Sequence, residues 1–165
     1  MTIIIKNKET LLFDEFKFKC SIGKGGSRKN KVEGDKATPK GLFGLGCIYY
    51  RADRISKPIS KINKIIIKKD MGWCDDPKSK FYNKLIKIKK KSKMSYEKLF
   101  RKDSQYDCLI LIKYNSKKII KKKGSAIFLH LTKNYSSTRG CITLKKKDFL
   151  ILCKLISKKT KIKIN

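Results

Sequence analysis

A mainly β domain, a mixed or sandwiched sheet carrying one or two short helices, is predicted for this chain of 165 residues. Three observations predict it. Short apolar runs separated by polar turns fill the whole length. Several of those runs alternate apolar and polar residues with a period of two, as half-buried strands do. Only one stretch, near the C-terminus, carries apolar residues at clear helical spacing. No internal repeat and no Pro- or Ser-rich linker divides the chain, so residues 1–165 read as a single domain. That length suffices for one core and rarely for two.

The elements follow in order. Residues 2–5 form a short strand. Phe16 to Cys20 alternates strictly and reads as a second strand. Residues 23–41, rich in Gly and Lys, are loop or hairpin. A phosphate-cradling loop would end in Lys-Ser or Lys-Thr before a helix, and this one does not. Further strands are expected at 65–68 and 85–88, and a short helix at 95–100. Residues 107–114 form the strongest strand. Cys108, Ile110, Ile112 and Tyr114 lie on one face, with Leu109 and Leu111 making the other face apolar too. That pattern suits a central strand buried on both sides. Residues 126–131 form another apolar strand, with His130 near its end. The charged run 117–123 is a hairpin between these two. A helix over 148–158 and an alternating strand over 161–165 close the chain.

Lys plus Arg number 44 against 13 Asp plus Glu, a net charge of +31. Clustered cations attract phosphate polymers. Here the excess is nearly all Lys, spread over the whole length beside Ile and Asn, as in a solvated face or a genome-wide lean. No recognition helix, zinc-finger spacing or aromatic RNA-binding signature accompanies it, so no specific nucleic acid is expected. A non-catalytic binder of nucleic acid or anionic wall polymer stays as the alternative function class. No run reaches transmembrane length, and residues 1–6 show no ordinary signal peptide.

The six cysteines, Cys20, Cys47, Cys74, Cys108, Cys141 and Cys153, are widely spaced, with no C-x-x-C. With a single His in the chain, no metal site and no cofactor is expected. Cys108 and Cys153 sit in apolar runs and read as buried thiols. A disulfide among the others stays open.

One segment carries chemistry. A strand delivers His130, a polar loop follows, and Thr138, Arg139, Gly140 and Cys141 lead into a second apolar stretch. An imidazole takes a thiol's proton and stabilises the thiolate. Gly140 removes a side chain where a carbonyl must approach, and backbone N–H groups of the turn can receive an oxyanion. The plain alternative is a structural His beside a core thiol.

His130 with Thr138, Arg139, Gly140, Cys141 and Ile142 resembles the active-site signature of the L,D-transpeptidase catalytic domain, the YkuD family. Other blocks agree in order: Gly23 to Gly26, Lys31 to Asp35, and Ala37 to Phe43. Met71 to Pro77, Phe81 to Asn83, Tyr96 to Phe100, Asp103, Tyr106 with Asp107, and Gly124 to His130 follow. The resemblance runs over about residues 23–144. It implies a β-rich fold and acyl transfer on peptidoglycan stem peptides. By position it makes Cys141 the nucleophile and His130 the general base and acid. Gly140 and Arg139 would shape the oxyanion turn, with Thr138 supporting it. It implies a periplasmic or cell-envelope location. Water in place of an amine would make the same site an L,D-carboxypeptidase. Two positions depart from the pattern: Arg139 stands where many members have a second His, and Thr143 where many have Arg. Arg139 can itself take a carboxylate with its planar fork.

Trp73, Asp75, Asp76, Tyr82 and Asn83 form a polar-aromatic cluster. One reading is a wall of the substrate cleft, with the carboxylates taking an amine. The other is a capped loop with Trp73 packed on the core.

Overall fold

The computed structural model describes residues 1–165. Strands β1 (Thr2–Asn7), β2 (Thr10–Phe13) and β3 (Phe16–Lys19) make an N-terminal meander. The Gly-rich segment holds only the two-residue ladder of β4 (Ser27–Arg28) and β5 (Thr38–Pro39). Strand β6 (Gly41–Tyr50) is the longest, followed by β7 (Lys64–Ile66), β8 (Met71–Cys74), β9 (Leu85–Lys87) and β10 (Tyr96–Lys98). The C-terminal part comprises β11 (Cys108–Ile112), β12 (Phe128–Leu131), β13 (Ile142–Leu144), helix α1 (Lys146–Leu155) and β14 (Lys161–Ile164).

The main sheet runs β13-β12-β11-β6-β14-β1-β2-β3, with β7 branching from β6. It is mixed: β1 with β14, β12 with β13, and β6 with β7 are parallel. Its two ends nearly meet. Just after β3, Ser21 and Thr143 exchange backbone hydrogen bonds of 3.2 and 2.9 Å, which draws the sheet into an almost closed barrel. The mainly β class with a mixed sheet therefore stands.

Alternation places the side chains. Ile3, Ile5, Leu11, Phe13, Ile162 and Ile164 enter the larger core, which α1 caps with Phe149, Leu152 and Cys153. Strand β11 is buried on both faces, as its sequence predicts. Cys108, Ile110 and Ile112 belong to the larger core and Leu109 to a second one. Phe128, Trp73, Tyr106 and Cys141 share that second core.

Two expectations change. Residues 95–100 form no helix. Tyr96, Glu97 and Lys98 pair antiparallel with Cys74, Trp73 and Gly72, so edge pairing with β8 overrides the local spacing. The single helix is α1, beginning two residues earlier than expected, at Lys146. The longest strand, β6, was not anticipated at all. Its three glycines lower its strand propensity, yet Gly46 lies where a Cβ would fall 2.8 Å from a Leu111 methyl. Its glycine marks a close approach between strands.

Candidate functional site

Strand β12 carries His130 on the same face as Phe128, because alternate residues share a face. Cys141 stands immediately before β13, which runs parallel to β12 with Thr143 beside His130. Both side chains line one cleft of 1490 Å³, together with Glu97, Arg101, Tyr106 and Arg139. Cys141 is 8% exposed and His130 3%.

The Cys141 turn is built from the Gly-rich segment. Gly23 N–H donates to Thr38 Oγ1 at 2.9 Å, and Thr38 Oγ1 donates to the Gly140 carbonyl at 2.8 Å. A Cβ on Gly23 would come within 3.0 Å of Gly140 Cα, and one on Gly140 within 2.8 Å of the Ala37 carbonyl. Gly140 has φ +138°, a conformation that favours glycine. Thr138 Oγ1 donates to the Cys141 carbonyl at 2.6 Å and accepts from Gly140 N–H at 3.0 Å. The Cys141 N–H donates to no acceptor in the protein. Arg139 is exposed in the cleft.

The thiol and imidazole are both held neutral. Cys141 Sγ donates to the Ala126 carbonyl at 3.3 Å and accepts from Phe128 N–H at 3.4 Å. Burial pushes the thiol up to about 12, and the Glu97 carboxylate adds to the rise. Burial pulls His130 down to about 4, with the Leu131 carbonyl opposing. Nδ1 of His130 lies 2.9 Å from that carbonyl. A carbonyl only accepts, so the bond puts the proton on Nδ1 and leaves Nε2 with its lone pair.

The polar-aromatic cluster divides. Asp75 lines the cleft and accepts from Ser95 Oγ at 2.6 Å. Asp76 lies outside it and caps a turn, accepting Lys78 N–H at 2.9 Å. Trp73 is core, edge-on to Phe128 with centroids 5.3 Å apart. Tyr82 is buried, donating to Glu33 Oε2 at 2.5 Å. Asn83 works from behind the thiol. Its Oδ1 accepts from Trp73 Nε1 at 2.9 Å and from Ala126 N–H at 3.1 Å. Its Nδ2 donates to the carbonyls of Tyr114 and Asn115 at 3.1 and 2.9 Å. Ala126 has φ +52°, costly for a residue with a Cβ. Asn83 thus steadies a strained residue whose carbonyl holds the Cys141 proton.

All six cysteines are free thiols, and Cys108 and Cys153 are buried in the core. Sequence reasoning did not single out Glu97, Arg101 or Tyr106 as site residues. Glu97 and Tyr106 carry one signal, membership of the ordered blocks Tyr96 to Phe100 and Tyr106 with Asp107, and Arg101, between blocks, carries none.

A family model described as the L,D-transpeptidase catalytic domain, YkuD, matches residues 1–164. No curated protein matches the chain.

Proposed function

This chain belongs to the L,D-transpeptidase catalytic domain family, and from that premise we propose that it performs cysteine-dependent acyl transfer on peptidoglycan stem peptides. The convergence of Cys141, His130, Thr138 and Arg139 on one cleft supports the reading most directly. His130 Nε2 takes the thiol proton, and the sulfur attacks the carbonyl of the L-centre of a diamino acid. The oxyanion is received by the unpaired Cys141 N–H, a fixed dipole aimed at developing charge. The C–N bond to the terminal D-alanine breaks, and His130 returns its proton to the leaving amine. A thioester remains on Cys141. An amine of a second stem peptide resolves it in the transferase, and water in the carboxypeptidase. Arg139 is suited to the substrate carboxylate. A cell-envelope location follows from the substrate. No helix of the chain is long and apolar enough to cross a membrane.

Both groups rest neutral, so the thiolate is a minor species until a substrate carbonyl is in place. Incubation with tetrapeptide-bearing muropeptide, followed by intact-mass and peptide mapping, should give an acyl adduct on Cys141. His130→Ala should abolish the adduct while the far-UV spectrum is retained. An adduct on another cysteine, or none, would overturn the reading.

A further inference from the structure

Tyr106 stands in the cleft that Cys141 and His130 line. Its ring meets the His130 ring edge-on, with centroids 5.0 Å apart, and the Phe128 ring at 5.9 Å. Phe128 in turn donates its N–H to Cys141 Sγ at 3.4 Å. Tyr106 and Cys141 lie in the same buried cluster. The Tyr106 hydroxyl donates to Glu97 Oε1 at 2.5 Å. A phenol has one proton to give, so Glu97 and a Cys141 thiolate compete for it. Glu97 has a second partner within reach: Arg101 Nη1 stands 3.7 Å from Oε1.

Resting on the reading of Cys141 as nucleophile, we propose that Tyr106 is a further catalytic residue, whose hydroxyl turns from Glu97 to the Cys141 sulfur as the thiolate forms. Arg101 then holds the Glu97 carboxylate alone. The S–H bond breaks, its proton goes to His130 Nε2, and Tyr106 keeps its own proton throughout. Burial pushes the Tyr106 hydroxyl well above its ordinary acidity range, so it stays a donor. Glu97 raises the thiol, and a hydroxyl turned to the sulfur acts in the opposite sense. A buried imidazole charges reluctantly, so a neutral donor on the sulfur relieves His130 of stabilising the thiolate unaided.

Alkylation of Cys141 by iodoacetamide at fixed pH, followed by peptide mapping, tests this without substrate. Alkylation tracks the thiolate fraction. Tyr106→Phe keeps the ring and removes only the donor. It should slow alkylation roughly tenfold, the effect of a shift of about one pKa unit. Glu97→Gln should speed it, because a negative neighbour is lost. Loosened packing would speed both variants, so slowing in Tyr106→Phe is a readout that a structural role does not produce. Thioester formation should fall in parallel in Tyr106→Phe with the melting temperature held. Unchanged or faster alkylation in Tyr106→Phe would overturn the proposal. The muropeptide adduct on the unaltered protein judges the nucleophile assignment separately.

Discussion

His130 is folded away uncharged, and that has a consequence in acid. Its folded value, about 4, lies below the ordinary 6.5, so the unfolded chain binds more protons between those values. The contribution is fully present above the upper value and is lost as pH falls through the window, on the order of 3 kcal/mol. Urea midpoints at pH 7 and near pH 4.5 should therefore differ less in His130→Gln than in the unaltered protein. An equal difference would show that other groups govern acid unfolding. At this scale the sequence was most informative about types. The single His was legible at once, whereas Gly precedes both Cys47 and Cys141 and the ordered family blocks are what single out Cys141. Glu97 and Tyr106 were not legible, because a Glu beside a Tyr implies nothing until β10 and the start of β11 bring them within 2.5 Å.

Strands were legible where burial imposes a pattern. Both apolar faces of β11 announced a central strand. Strand β10 was misread because Tyr96, Leu99 and Phe100 also satisfy helical spacing, and only pairing with β8 decides between the two. Strand β6 was missed for its glycines. Gly46 faces Leu111, where an added Cβ would meet side-chain carbons at 2.8 Å. Gly46→Ala therefore trades better strand propensity for overpacking against β11, a net loss of about 1–3 kcal/mol. Urea denaturation should show it as a lower midpoint with an unchanged slope. A midpoint at or above that of the unaltered protein would mean that β11 yields easily.

Across the whole molecule the net charge of +31 works against compaction, since like charges repel more when the chain is folded. Only six ion pairs offset it, most of them partly exposed. Added salt screens that repulsion over a Debye length of about 10 Å at 0.1 M. The melting temperature should accordingly rise with sodium chloride, steeply at first and then level. A melting temperature that falls over that range would mean the ion pairs outweigh the repulsion.

By itself the sequence determined the β class, the two-sided burial of β11 and the C-terminal helix and strand, and it offered Cys141 and His130 as candidates through the resemblance of its ordered blocks. Periodicity and residue chemistry are local, so they survive without coordinates. Tertiary structure alone decided the near-closure of the sheet at Ser21 and Thr143, the glycine-to-glycine contact beneath Cys141, and the inward turn of Trp73, Tyr82 and Asn83. It also decided that Cys141 and His130 rest buried and neutral. Those features depend on which distant segments share a surface and how much water they exclude, and no spacing along the chain encodes that.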